Sequence, residues 1–305
     1  MEKRLSRTEY LFSLFFILML VGAVGAFFYG VQIGTQKAEA KYSGLLSPVS
    51  KQPTAASYPQ QQLVSFYHTI FSPYRVFQGK WFDHLDAMDR QQTSASPSSL
   101  LNELSRIADE EYRKAAKSSM PGSTPLLQEA QKNYLKSLKL FSQSAAKYKE
   151  KAEGLGTAAF IRQITADPYV QEAANFGLLA QAQYYEAILK WNAGGDSNLK
   201  LASMPGTEKI DLKQWSGLSL NSKNAYLANL LLEEKQYEPF DPQDLSVRID
   251  QMLRNGTLQK LKLTNVREIA LMLIETEAVR AGDYLKNRDK YYANEKLPLI
   301  PLLVR

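Results

Sequence analysis

Residues 173–191 read AANFGLLAQAQYYEAILKW, a stretch in which Glu186 and Lys190 are the only charges. It has no alternation of period two and no proline, and it is too long for a strand, so it predicts a helix apolar around most of its circumference. Asn175, Gln181, Gln183 and the two charges would be costly in lipid, which places this helix at the centre of a soluble domain rather than across a bilayer. Gly194-Gly195 supplies its stop.

A buried central helix needs neighbours, and the preceding segment offers one. From Pro125 to about Gly154, the residues Tyr134, Leu138, Phe141, Ala145, Tyr148 and Ala152 recur at alternating steps of four and three. Around this seam lie Lys132, Lys136, Lys139, Lys147, Lys149 and Lys151, which stay wet. The repeat is short for a free coiled coil, so it predicts a bundle contact. Ser123-Thr124-Pro125 reads as its start, a hydroxyl cap followed by proline at the first helical position. Upstream, Leu100, Leu104, Ile107, Tyr112 and Ala115 mark an amphipathic helix after a Ser-rich break at 93–99. An aromatic-rich pair of helices precedes it, near Gln62–Phe71 and Pro73–Arg90.

Downstream of the central helix an irregular stretch runs to about Gly217, where Lys209–Leu212 makes at most a short strand. Ser222–Gln236 is helical on Tyr226, Leu227, Leu230 and Leu231. Asp241-Pro242 opens the next helix, with Leu245, Ile249, Met252 and Leu253 on its apolar face and Gly256 to end it in the left-handed conformation. Thr264 is the expected cap of a last long helix through Val266, Ala270, Leu273, Ile274, Ala278, Ala281 and Leu285. The apolar tail Leu297–Val304 is too short to span a membrane and is expected to pack on the domain. AQAQYYEAILKW (180–191) has the Ala and Tyr spacing of tetratricopeptide helices, but no 34-residue recurrence accompanies it, and local packing explains the likeness. Residues 63–305 thus predict an all-α, helical-bundle-like domain of roughly eight helices.

The N-terminus answers to a different solvent. Between Glu9 and Lys37 there is no charge, and Leu11–Tyr29 reads LFSLFFILMLVGAVGAFFY. In a helix this run spans about 28 Å, close to the ~30 Å hydrocarbon core. Residues 1–9 then form a short tail, 10–36 a single transmembrane helix seated in the lipid bilayer through 10–33, and 37–62 a Ser/Pro/Gln-rich flexible linker. Ala38-Glu39-Ala40 resembles a signal-peptidase site, but the apolar run is longer than a signal peptide uses and Ala40 lies well beyond it, so an uncleaved anchor is expected. Lys3, Arg4 and Arg7 outnumber Lys37 and Lys41 near the ends, which favours a cytoplasmic N-terminus and an extracytoplasmic 37–305. Gly22, Ala26, Gly30 and Gly34 form a stripe of small residues suited to helix–helix pairing. Pro48, Pro53 and Pro59 forbid a helix in the linker, whose residues 43–62 reach at most ~60 Å if extended.

The chain has 305 residues, 45% hydrophobic content, a net charge of +6 and no cysteine. The missing cysteine closes thiolate catalysis, Cys-zinc sites and Cys-ligated iron–sulfur clusters. His68 and His84 are the only imidazoles, and HExxH, Walker A, GxGxxG, GxSxG and EF-hand patterns are absent. The nearest constellation is Asp83-His84-Leu85-Asp86-Ala87-Met88-Asp89, whose carboxylates recur one turn apart and offer oxygens to a hard divalent ion. The same pattern is an ordinary solvated face beside Trp81, Phe82 and Leu85, and that is the reading adopted. No catalytic, cofactor-binding or metal residue is therefore assigned, and no cofactor is expected.

Residues 1–41 carry five Lys and Arg against three acids, so the excess left for the other residues is diffuse and nucleic acid is not an expected partner. The Lys-rich helix 132–151 is a candidate contact for anionic headgroups or acidic polymers, although such lysines commonly serve only solubility. Most of the 17 tyrosines are expected in the core. The leading expectation is a single-pass membrane protein acting as an adaptor or scaffold for an unknown protein partner. An extracytoplasmic ligand-binding or sensory domain is the alternative, and a hydrolase using carboxylate, Ser or Lys residues is the third. An exposed apolar groove would favour the first, a large closed cavity the second, and convergent buried carboxylates the third.

Overall fold

Pro73 should break a helix, because it lacks an N–H and its ring collides with the carbonyl four residues back. The sequence accordingly predicts two helices separated at Ser72. The computed structural model, which describes residues 58–90, 95–152, 157–193 and 210–304, shows one continuous helix instead. This α1 comprises Gln60–Phe66, a π-helical turn Tyr67–Phe71, and Ser72–Asp89. The wider turn opens the backbone register just before the proline, so the ring is accommodated and the axis continues. Gln60–Gln62, assigned by composition to the linker, already form the first turn. Tyr58 is buried before it, its hydroxyl accepting a hydrogen bond from the Leu126 N–H at 3.1 Å.

The anchor expected at 10–36, its stripe of Gly22, Ala26, Gly30 and Gly34, and the linker as far as residue 57 lie outside the described residues. Among the described residues no helix is long and apolar enough to cross a membrane, and the fold is all-α. An isolated bridge between Asp211 and Asn265 stands where a short strand was expected.

Four further helices complete the first half of the domain: α2 (Pro97–Ala116), α3 (Pro125–Tyr148), α4 (Thr157–Thr165) and α5 (Pro168–Ala193). Ser96 caps α2 by accepting from the Ser99 N–H at 3.2 Å. Thr124 does not cap α3 as its sequence suggests, for its hydroxyl donates backwards to the Pro121 carbonyl at 3.0 Å. Proline at the first helical position is left to set that start. The helix also ends earlier than predicted, at Tyr148. Asp167 accounts for the early start of α5, one carboxylate oxygen accepting from the Tyr169 N–H at 2.9 Å, while the other ties that start to α3 by accepting from the Tyr148 hydroxyl at 2.8 Å.

The predicted seam is real. Tyr134, Leu138, Phe141 and Ala145 of α3 are buried, with Ala173, Ala180, Tyr184, Ala187 and Ile188 of α5 in the same core. The rings of α1 interleave with them. Tyr74 and Tyr134 have centroids 4.2 Å apart, Phe66 and Tyr184 4.7 Å, and Trp81 and Phe141 4.8 Å. Their offset and tilted arrangements are those aromatic quadrupoles prefer.

The second half builds a smaller core from α6 (Leu212–Ser216), α7 (Leu220–Glu233), α8 (Pro242–Arg254), α9 (Thr257–Lys260) and α10 (Val266–Glu275), centred on Trp215, Leu227, Leu245, Ile249, Val266 and Ile269. α8 starts at Pro242 as predicted, and Gly256 adopts the expected positive φ of 74°. Asn265, not Thr264, caps α10 by accepting from the N–H of Arg267 at 2.9 Å. The predicted last long helix is in fact two. Glu277 and Gly282 take φ of 51° and 84°, so the chain leaves the helix after Glu275 and restarts as α11 (Asp283–Tyr291). The C-terminal tail returns to the first core as expected, burying Ile300 and Leu303.

Candidate functional site

The acidic run on α1 does not converge. Asp83 and Asp89 are exposed, and Asp86 pairs with Arg90 at 2.7 Å. His84 turns inward and meets Glu103 of α2 at 3.2 Å. Among the described residues no group of three or more His, Asp or Glu is placed to hold a metal ion. The Lys-rich face of α3 is engaged locally. Lys132 pairs with Glu129 at 2.7 Å, Lys139 with Asp109 at 3.5 Å and Lys147 with Asp167 at 3.4 Å, while Lys136 lies 4.8 Å from the Phe176 ring centre. Contacts of this exposure are worth little singly and leave few free ammonium groups for a ligand.

Sequence reading missed the buried charges at the start of α8. Asp241 and Asp244 are both nearly inaccessible. Arg75 reaches Asp241 at 3.4 Å from α1. Asp244 accepts from the backbone N–H of Tyr284 at 2.9 Å and of Asp241 at 3.2 Å, so it fastens the first turn of α11 to that of α8. Burial raises both carboxyls above the ordinary range, the neighbouring Asp241 charge adding to the effect at Asp244 and Arg75 opposing it at Asp241. Glu238 is pushed up to about 7 by burial and then by the Glu277 charge. Asp241 and Asp244 lie together and are inaccessible, while Glu238 is half-buried and faces Glu277. The cavity beside Glu238, between Gln78, Gly177 and Tyr237, measures about 10 Å³, room for about one water. Asp241 and Asp244 join helices.

That assignment has a measurable sign. A carboxyl whose folded pKa is raised contributes stability that is fully present below its unfolded pKa of about 4 and is lost as pH rises through the folded value. For Glu238 that window closes near 7. Asp167 works in the opposite direction: burial raises its pKa, but hydrogen bonds from Tyr148 and the Tyr169 N–H more than offset this and hold it low. Its contribution is lost only in stronger acid. The melting temperature should therefore fall by a few degrees from pH 5 to pH 8, and the fall should shrink in Glu238→Gln. An unchanged slope in that variant would remove Glu238 from the account.

An accessible groove of about 800 Å³ lies between α8, α10 and α11. Arg248, Gln251 and Met252 of α8 and its C-cap Asn255 line it, with Met252 at the edge of the apolar face that buries Leu245 and Ile249. Met272 and Leu273 of α10 and Tyr291 of α11 supply its other apolar surfaces. Arg254 stands 4.7 Å and Lys290 5.2 Å from the centre of the Tyr291 ring, both within cation–π range. Arg248 is tethered, donating from Nε to the Ala278 carbonyl at 2.9 Å and from Nη1 to Gln251 at 2.8 Å. Among the described residues none of these three cations is paired with a carboxylate, and none of the groove's lining residues is acidic.

Of this site, sequence reading found only the helix α8 itself, with Met252 on its apolar face. Its other walls depend on the break between α10 and α11, which sequence reading did not find. No protein-family model matches the chain, and neither a curated protein nor a solved structure matches it, so its function is argued from this geometry.

Proposed function

We propose that the chain is a single-pass membrane protein whose helical domain acts as an adaptor, receiving a protein partner in the groove between α8, α10 and α11. In this reading residues 10–33 hold the bilayer, the N-terminus is cytoplasmic, and 37–305 stand outside on the Pro-rich tether. Gly22, Ala26, Gly30 and Gly34 provide a face for pairing within the membrane. The carrying observation is the groove itself: open, floored by methionine and leucine, and rimmed by cations that have no acidic partner among the described residues. A ligand-binding or sensory role would want enclosure, which an open trough does not supply.

In-cell photo-crosslinking tests the adaptor reading. A photoreactive residue replacing Thr276 in the groove of the full-length chain should give a discrete adduct with a second protein, and one replacing Ala159 on α4 should not. No adduct from Thr276, or equal adducts from both positions, would overturn it. Topology is checked separately, because the cysteine-free chain takes a single reporter cleanly. An impermeant maleimide should label Ser57→Cys and not Ser6→Cys in intact cells, and the reverse pattern would place the domain in the cytoplasm.

A further inference from the structure

The C-terminal ends of α8, α10 and α11 all border the groove, at Arg254, Thr276 and Tyr291. Basic residues at helix C-termini commonly do no more than offset the macrodipole, so that contribution has to be subtracted first. Three helix ends supply about −0.5 charge each. Among the lining residues Arg248, Arg254 and Lys290 exceed this, leaving a cationic excess beside Met252 and Met272, with Glu275, Glu277 and Asp289 as the acids that flank the lining in sequence.

Resting on the adaptor reading, we propose that the occupant of this groove is an acidic amphipathic helix belonging to another protein, its apolar side chains on Met252 and Met272 and its carboxylates on Arg254 and Lys290. Charge complementarity argues for the acids. The concave shape argues against a lipid surface, which is flat on this scale and would meet the rim before the floor. A small anion fits less well, because an open trough would leave most of it wet, whereas a helix needs only one covered face. Nor does this chain carry a suitable segment of its own outside the described residues. Residues 1–57 hold Lys3, Arg4, Arg7, Lys37, Lys41 and Lys51 against Glu2, Glu9 and Glu39, and residues 194–209 balance Asp196 and Glu208 with Lys200 and Lys209. Flexible methionines adapt to varied apolar partners, so the charges on the rim would set the register.

The probe is a fluorescein-labelled 18-residue helical peptide with Leu at i, i+3, i+4 and i+7 and Glu flanking them, titrated by anisotropy against the full chain in detergent. It should bind with micromolar affinity, and a matched peptide with Lys in place of Glu should bind at least 10-fold more weakly. Affinity should drop about 10-fold between 50 and 300 mM salt. Arg254→Glu with Lys290→Glu should weaken the Glu peptide at least 10-fold and strengthen the Lys peptide. These two side chains are exposed and make no backbone hydrogen bond, so they are preferred to the tethered Arg248.

Equal binding of the Glu and Lys peptides to the wild-type chain would overturn the proposal even if the double variant failed to fold. Equal binding of a Glu peptide scrambled to lose its apolar face would also overturn it. Phosphatidylserine vesicles binding through Arg254 and Lys290 while the peptide does not would assign the groove to lipid instead. Should Thr276 crosslink to a segment that is not acidic, the adaptor reading would stand and this one would fall.

Discussion

Lys223→Met should lower stability by about 3–5 kcal/mol, because it strands a charge inside the protein. Lys223 Nζ lies 3.1 and 2.9 Å from the two carboxylate oxygens of Asp250, and both residues are almost inaccessible, at 7% and 3% exposure. The same carboxylate accepts from Trp215 Nε1 at 2.7 Å and from the Tyr292 hydroxyl. Trp215 stands in the smaller core and Tyr292 in the larger one, so Asp250 is where the two cores share a polar joint. Burial, followed by the Asp250 charge, lifts the Tyr292 phenol far above its usual range, which keeps it a donor at every physiological pH.

Without the ammonium, the Asp250 carboxylate is left in a dry site with only Trp215 and Tyr292 to donate to it. Urea denaturation of the full chain measures the loss. For a domain of this size the melting temperature should drop by about 6–20 °C. Lys223→Met with Asp250→Leu should recover part of the loss, since a buried pair replaced by apolar groups is often nearly neutral. A single-variant loss below about 1 kcal/mol would mean that water reaches Asp250 after all.

This joint and the groove show where sequence reading stops. Periodicity was sufficient for the α3–α5 contact, because Tyr134, Leu138, Phe141 and Ala145 need only helical spacing to declare a shared face, and all four are buried. Caps were read less well. Thr264 and Asn265 are adjacent candidates with similar chemistry, and the choice between them rests on the pairing of Asp211 with Asn265 across a long stretch of chain. Pro73 was misread because a π-turn leaves no mark in composition. The break after Glu275 was misread because Ala278, Ala281 and Leu285 continue the apolar period of α10 while the backbone has turned left-handed at Glu277 and Gly282. That error hid the groove, for an unbroken helix would not bring Lys290 and Tyr291 opposite α8. The Asp241–Asp244 spacing reads locally as a helix start, and its burial depends on Arg75, Tyr284 and the packing of distant helices.

Gly177→Ala should destabilise the domain by about 2–3 kcal/mol, although alanine is the better helix former by up to about 1 kcal/mol. Gly177 lies within α5, where no turn requires a glycine. Its reason is across the seam. A Cβ built there would fall 1.9 Å from the Tyr74 hydroxyl oxygen, 2.9 Å from Tyr74 Cζ and 3.3 Å from Ser137 Oγ. Tyr74 has little room to retreat, since it is 2% exposed, packs its ring 4.2 Å from that of Tyr134, and hydrogen-bonds Ser137 at 3.1 Å and Tyr237 at 2.9 Å. Ser137 is itself held, donating to the Ala173 carbonyl of α5 at 2.6 Å. The added methyl must then push α5 from α3 or drive the Tyr74 ring off its rotamer, and overpacking of this kind costs about 1–3 kcal/mol before the broken hydrogen bonds are counted.

The mechanism can be separated from a general intolerance of this position. Tyr74→Phe alone should cost about 1 kcal/mol, yet it removes the atom that the new methyl strikes most closely. In the double variant the two losses should sum to more than the loss observed, by about 1 kcal/mol or more. Melting temperatures of the two single variants and the double variant close this cycle. Strict additivity would show that the space above Gly177 is not what Tyr74 occupies. A stabilised Gly177→Ala would show that helix propensity outweighs the contact, and that Tyr74 of α1 yields to the added methyl.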